Sequence, residues 1–79
     1  MHEPSFALDR VPPRLRRLLA PIAAGESNPG IAEGTGLAIH TVENYISEIL
    51  EWTGCPGRSR LIVTAIAYLQ QHTGKEHPP

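Results

Sequence analysis

The sequence predicts an all-α fold: one compact domain of four helices, organised around a helix, a tight turn and a second helix between Ser27 and Leu50. Three observations predict it. Apolar residues recur three and four positions apart in separate segments, which is the period of a helix. Glycine and proline stand between those segments, where they end helices and form turns. The chain has 79 residues, enough for a single small domain.

The first predicted helix spans residues 13–24. Pro13 is tolerated in a first turn, and the apolar stripe that follows consists of Leu15, Leu18, Leu19 and Ile22. Pro21 lies inside this segment, where it removes a backbone hydrogen bond. We therefore expect a kink, or an end close to Ala24 and Gly25. Residues 1–10 are predicted to be a tail, from which Phe6 and Leu8 could reach the domain.

The second and third predicted helices, residues 28–35 and 39–53, enclose the tight turn. Ser27 or Asn28 can cap the second helix, and Gly36 stands where a positive φ would end it. In the third helix the apolar period places Val42, Ile46 and Ile49 on the core face, with Tyr45 beside them. The residues left pointing away are Ile39, His40, Glu43, Asn44 and Ser47. We expect the function to lie on this outward row.

The fourth predicted helix spans residues 59–72, and residues 73–79 are predicted to be a polar tail. The helix is apolar on more than one face. A core stripe is supplied by Leu61, Ile62, Ala65, Ile66 and Leu69, which leaves Val63, Ala67 and Tyr68 as surplus. The surplus either meets Phe6 and Leu8 of the tail or forms a symmetric dimer seam. We favour the seam, because small domains often gain stability from a partner subunit.

Several classes of site are absent from the pattern. One cysteine, Cys55, excludes an internal disulfide, and we interpret it as a small buried hydrophobic residue. The four histidines match no metal-ligand spacing, and no cofactor is expected. No apolar run approaches the roughly 20 residues that cross a bilayer. We expect a soluble, cytoplasmic protein that is not an enzyme, because no nucleophile, base and orienting group can be assembled.

Positive charge is concentrated near the first helix, in Arg10, Arg14, Arg16 and Arg17. Two interpretations stay open for these residues: an ordinary solvated helix face, or a face that contacts phosphates. Arg58 and Arg60 stand near the other end of the chain, so that the two groups could bracket a groove. The formal net charge of -1 argues neither for nor against nucleic acid, because the local distribution matters more.

With the helices placed, residues 11–69 resemble the LuxR/GerE-type helix-turn-helix domain of bacterial transcription regulators. The residues that carry the resemblance are Gly25, Ser27, Asn28, Ile31, Ala32, Glu33, Gly36, Leu37, Thr41, Val42, Asn44, Ile46, Ser47, Ile49, Gly54 and Arg58. The resemblance implies that the third helix enters the major groove of DNA and that the fourth helix pairs two subunits. It also implies that Asn28, His40 and Thr41 approach phosphates. Val42, Glu43 and Asn44 would approach bases.

The sequence departs from the family pattern at several positions. The family usually has cationic residues where this chain has Pro29, Glu43 and Glu48, and a histidine at Tyr45. It usually has leucine at Thr35 and Thr53, and a serine cap at Ala38. Between residues 11 and 60 the arginines and glutamates balance, so the predicted DNA-binding unit is neutral. Few cations imply weak non-specific binding, because much of the affinity for duplex DNA comes from counterion release at phosphates.

The function predicted from the sequence is sequence-specific binding of double-stranded DNA by a dimeric bacterial transcription regulator. Base contacts are predicted for Ile39, Val42, Glu43, Asn44 and Ser47. Phosphate contacts are predicted for Arg14, Arg17, Asn28, His40, Thr41, Arg58 and Arg60. The dimer interface is predicted at Val63, Ala67 and Tyr68. Glu43 has two interpretations: it accepts a hydrogen bond from cytosine, or it is a solvent-facing residue that repels phosphates.

An alternative function belongs to a different class. The domain could be a protein-interaction module that kept the fold while its third helix lost cations. It would bind another regulator or a polymerase subunit through Glu43, Glu48, Glu51 and Trp52. Trp52 itself is interpreted either as a packing residue at the edge of the core or as a platform on which a ligand stacks.

Overall fold

The computed structural model describes residues 8–75, with side chains through residue 71, and every regular element in that part is helical. A 3-10 turn is followed by five α-helical segments, namely Leu8–Arg10, α1 (Pro13–Arg16), α2 (Leu19–Ala23), α3 (Asn28–Thr35), α4 (Ile39–Thr53) and α5 (Arg58–Lys75). Together α1 and α2 occupy the first predicted helix, while α3, α4 and α5 correspond to the second, third and fourth. The prediction of an all-α fold is confirmed.

The first predicted helix is interrupted at Arg17 and Leu18, four residues before the proline. A proline ring clashes with the carbonyl group four residues earlier and cannot donate to it, and that carbonyl belongs to Arg17. The interruption makes Pro21 the third residue of α2, where no intrahelical donor is needed. The expected kink therefore lies one turn before Pro21. The helix ends at Ala23, and Gly25 follows with a φ of 78°.

The C-terminus of α3 shows how a threonine is accommodated where the core would accept leucine. The Thr35 hydroxyl donates to the carbonyl oxygen of Ile31 at 2.7 Å and accepts from the Leu37 amide at 3.3 Å. Between them Gly36 adopts a φ of 79°, which only glycine reaches without strain. The half-buried hydroxyl is thus fully used, and it fixes the tight turn that joins α3 to α4.

A threonine hydroxyl and a glycine with positive φ also end α4. Thr53 is buried, and its hydroxyl donates to the carbonyl oxygen of Leu50 at 3.4 Å and accepts from the Cys55 amide at 3.2 Å. Gly54 stands between them with a φ of 75°. A threonine followed by a left-handed glycine therefore closes both helices, and each hydroxyl satisfies an amide that has left the helical ladder.

One hydrophobic core is shared by all the helical segments. α2 packs on α5, α3 packs on α4, and the 3-10 turn packs on α4. The buried apolar residues are Leu8, Val11, Leu15, Leu18, Leu19, Ile22, Ile31, Ala32, Val42, Ile46, Ile49, Cys55, Leu61 and Ala65. Residues 8–10, predicted as the end of a tail, form the 3-10 turn, and Leu8 is buried in the core, a contact that the prediction for Leu8 allowed. α5 continues to Lys75, beyond its predicted end at residue 72. Phe6 and the rest of residues 1–7 and 76–79 lie outside the described residues.

Candidate nucleic-acid interface

One face of α4 presents polar side chains to solvent. His40, Glu43, Asn44 and Ser47 are exposed, and they recur at intervals of three and four, so that they form one row along the helix. Ile39, at the start of the row, has 46% of its surface exposed. The row lies opposite the α4 residues that enter the core. This row can offer an amide, a carboxylate and a hydroxyl group to a binding partner.

Val42 does not belong to this surface. Its side chain has 0% exposure and lies in the core, so it has no surface to offer a base. The prediction that Val42 contacts a base is wrong for this conformation. The reason is its place on the helix: Val42 shares the inward stripe with Ile46 and Ile49, four and seven residues later. Thr41, beside it, is half-buried.

Arg14 is held against α4 rather than extended into solvent. Its Nη2 atom donates to Oε2 of Glu48 at 2.8 Å, and its Nη1 atom donates to Oε1 at 3.3 Å. The guanidinium carbon lies 5.6 Å from the centre of the Tyr45 ring, within the range of a cation–π contact. The Arg14 hydrogen bond lowers the pKa of the Glu48 carboxyl. Sequence reasoning missed this pairing, since the two residues are 34 positions apart.

Arg16 and Arg17 donate to backbone carbonyl groups. Arg16 bonds to the carbonyl oxygens of Val11 at 3.0 Å and Asp9 at 3.1 Å, which ties α1 to the 3-10 turn. Arg17 Nη2 bonds to the carbonyl oxygen of Thr35 at 2.9 Å, at the end of α3. Both guanidinium groups also remain on the surface, so each keeps donors that face water.

Arg58 and Asn28 are paired with each other. Nη1 of Arg58 donates to Oδ1 of Asn28 at 2.6 Å, and Nη2 donates to the carbonyl oxygen of Glu26 at 2.7 Å. The first residue of α5 is thereby fastened to the start of α3, where Ser27 also accepts from the Gly30 amide. Both members of the pair were predicted to contact phosphates, and the structure uses them to join two helix N-termini.

Two exposed arginines complete the set. Within residues 8–71, the Arg10 and Arg60 side chains make no hydrogen bond or ion pair. They are the cations of the described surface whose donors all remain available. The sequence could not have separated them from the other arginines, because the difference lies in what surrounds each side chain.

The outer face of α5 is apolar, as the sequence of the fourth predicted helix suggested, but the residues that form it differ from those predicted. Val63 is 56% exposed, Ile66 is 39% exposed, and Ala67 is exposed beside them. Tyr68 is half-buried and packs against the core. Ile66 was predicted to lie in the core and Tyr68 at the dimer seam. Their positions are exchanged because the packing of α5 on α2 turns the Leu61, Ala65 and Tyr68 stripe inward.

Another exposed apolar side chain lies at the end of α4. Trp52 has 48% of its surface exposed, and Glu51 beside it is exposed as well.

The part of the chain that the structure describes contains no group of His, Cys, Asp and Glu side chains able to hold a metal ion. None of the described helices combines the length and hydropathy needed to cross a membrane.

Comparison with known protein families gives one match. The model of the bacterial regulatory proteins, luxR family, also called GerE, matches residues 12–65, which is more than half of the chain. Comparisons with curated proteins and with solved structures give no significant match. The matched residues run from just before α1 into α5 and include α3, the glycine turn and α4. The chain therefore belongs to the luxR family of bacterial regulatory proteins, which are helix-turn-helix, DNA-binding transcription regulators.

Proposed function

We propose that this chain is a sequence-specific regulator of bacterial transcription that acts as a dimer in the cytoplasm, with α4 lying in the major groove of DNA. The observation that carries the proposal is the exposed polar row on α4. The turn before α4 and the core beneath it are those of a helix-turn-helix motif, whose second helix is the recognition helix. Family membership supports DNA as the partner. The row supplies side chains suited to base edges.

The exposed row offers different chemistry at each position. Asn44 can form two hydrogen bonds with adenine, and Glu43 can accept one from the amino group of cytosine. Ser47 can donate or accept, and Ile39 can contact the methyl group of thymine. Each of these side chains is exposed. We propose these four residues as the base-contacting set, without Val42.

Phosphate contacts in the proposal fall into two groups. His40, Thr41 and Arg60 need no rearrangement, because no hydrogen bond holds these three side chains to another described residue. Three arginines and one asparagine already have partners, and reaching a phosphate would use their remaining donors or break a bond: Arg14, Arg17, Arg58 and Asn28. Within the first group only Arg60 carries a fixed positive charge, so we expect Arg60, rather than His40 or Thr41, to contribute to the salt dependence of binding.

The proposed dimer uses the outer face of α5. Val63, Ile66 and Ala67 lie on one side of the helix and expose apolar surface, which a two-fold contact would cover. Val63→Lys, which places a charge on that face at the more exposed of its two large apolar residues, should shift the chain toward monomer in sedimentation equilibrium. Glu33→Lys on the exposed surface of α3 is the matched control. An unchanged mass for Val63→Lys would contradict the proposed seam.

Fluorescence anisotropy with labelled duplexes tests DNA binding. Duplexes selected from a random pool at about 50 mM salt should bind saturably, and raising the salt should weaken binding. Asn44→Ala should lower affinity for the selected sequence by about 5- to 150-fold, the worth of a bidentate base contact, with little change on unselected DNA. Glu33→Ala is the control. No saturable binding at low salt, or an Asn44→Ala loss equal on both kinds of DNA, would contradict the proposal.

One observation favours a second function. Trp52 exposes nearly half of its surface next to Glu51, and large exposed aromatics are enriched where proteins meet. In this alternative the α4 surface, with Glu43, Glu48, Glu51 and Trp52, binds a basic segment of another regulator or of a polymerase subunit. Capture of such a partner by the wild type, lost in Glu43→Lys and Trp52→Ala, without retention on DNA, would favour it over the first proposal.

A further inference from the structure

Arg14 and Glu48 form a two-bond contact across the surface between α1 and α4. Both terminal nitrogens of the guanidinium donate to the carboxylate, at 2.8 Å and 3.3 Å. The Tyr45 ring lies against the guanidinium carbon at 5.6 Å. Glu48 and Tyr45, both on α4, therefore fix the position of the Arg14 guanidinium.

The contact remains open to solvent. The Arg14 side chain has 54% of its surface exposed and the Glu48 side chain 36%. An exposed ion pair contributes little to the stability of a fold, because water competes with it and salt screens it. A second anion can therefore approach the same guanidinium without unfolding the domain. The Glu48 carboxylate can thus be replaced at the Arg14 guanidinium by another anion.

The chemistry of the pair points to the anion that would exchange. A guanidinium fork presents the same two parallel N–H groups to a carboxylate as to a phosphate. The Glu48 carboxylate already occupies those two groups. Glu48 also stands on α4, one turn beyond Asn44, so the carboxylate lies on the helix that the proposed function places against DNA.

We infer that Glu48 is an internal competitor for DNA phosphate: its carboxylate holds the Arg14 guanidinium until the DNA backbone displaces it. This inference rests on the proposed function. Arg14 is then a phosphate-binding residue whose contribution is largely cancelled in the free protein. Binding to DNA of any sequence is weakened, while the base contacts of α4 are untouched. The carboxylate therefore lowers affinity for all sequences alike, and the ratio of specific to non-specific affinity is left to the base contacts.

The experiment compares removal of this carboxylate with removal of a neighbouring one. Glu48→Gln keeps the side-chain shape and removes the charge. Glu51→Gln removes an exposed charge three residues later on the same helix, where no arginine is bonded. Affinity for a mixed-sequence duplex of about 30 base pairs, long enough for two half-sites, is measured by anisotropy across a salt series.

Releasing one cation for phosphate should steepen the slope of log affinity against log salt by about 0.9. At about 50 mM salt this corresponds to roughly a tenfold gain in affinity for Glu48→Gln. Glu51→Gln should gain about twofold and leave the slope unchanged, because it only reduces a screened repulsion. In the Arg14→Gln background, Glu48→Gln should gain no more than Glu51→Gln does.

The outcomes separate the inference from the proposed function. Wild-type binding with equal gains for the two single variants, or a Glu48→Gln gain that persists without Arg14, would overturn the inference and leave DNA binding intact. If no variant binds at low salt, the proposed function fails and the inference fails with it. Thermal unfolding by circular dichroism confirms that each variant is folded, and Arg14→Gln alone gives the affinity without the cation.

Discussion

The contact between Arg58 and the start of α3 supports a prediction about stability. Arg58 donates to Asn28 Oδ1 at 2.6 Å and to the Glu26 carbonyl oxygen at 2.7 Å, and its side chain is half-buried. A hydrogen bond from a charged group contributes about 1.5 to 3 kcal/mol. Partial exposure lets water replace part of each bond, so we expect Arg58→Ala to lower the free energy of unfolding by about 2 kcal/mol.

The matched control is Arg60→Ala. The Arg60 side chain is exposed and makes no hydrogen bond or ion pair within residues 8–71, so its removal should change stability by less than about 0.5 kcal/mol. For a domain of this size, about 2 kcal/mol corresponds to a fall in Tm of roughly 10 °C. Both variants are compared with wild type by thermal and urea unfolding, each at a single fixed protein concentration.

A double-mutant cycle identifies the bond responsible. If Arg58 and Asn28 act as a pair, Asn28→Ala should cost less in the Arg58→Ala background than in the wild type, by about 1 kcal/mol. Equal Tm values for Arg58→Ala and Arg60→Ala would refute the reasoning. So would strictly additive losses for Arg58→Ala and Asn28→Ala, since that result means the two side chains do not interact in solution.

Three further predictions concern helix ends and charge. Gly34→Ala should stabilise by about 0.5 to 1 kcal/mol in urea unfolding, because the position is helical and open, whereas Gly36→Ala should destabilise by about 1 kcal/mol, because its φ is 79°; equal signs would contradict this. Thr53→Val should cost about 1 to 3 kcal/mol in the same assay, since it leaves a buried amide without its acceptor, and a neutral result would contradict the capping role. The hydrogen bond from Arg14 holds the pKa of Glu48 below its usual value, so the small stabilisation from this exposed pair is present at neutral pH and is lost as the pH falls through the depressed pKa. The Tm difference between wild type and Arg14→Gln should therefore close in acid, and a constant difference would contradict it.

Local signals in the sequence were sufficient for the central motif. The Ser27 cap and Gly36 act within four residues of the helix ends that they set, and the helical period of α4 separates inward from outward side chains. Such signals depend on backbone geometry that neighbouring residues share. The all-α class and the helix-turn-helix family were therefore predictable, as was the exposure of His40, Glu43, Asn44 and Ser47.

Other features depended on residues far apart in the chain. The partners of Arg14 and Arg58 lie 34 and 30 positions away, and no local pattern indicates which carboxylate or amide will meet a given arginine. The interruption before Pro21 is, by contrast, a local effect, because the proline ring clashes with the carbonyl group of Arg17, four residues earlier.

The sequence by itself determined which segments are helical, where most of them end and which face of α4 is polar, because these properties arise within a few turns of one helix. Only the tertiary structure decided which cations remain available, since a guanidinium bonded to Glu48 or Asn28 differs from one in water only by its surroundings. Packing likewise decided how α5 is turned, placing Ile66 outside and Tyr68 against the core. The sequence of a helix fixes which residues share a face, but the packing of neighbouring helices determines which face is buried.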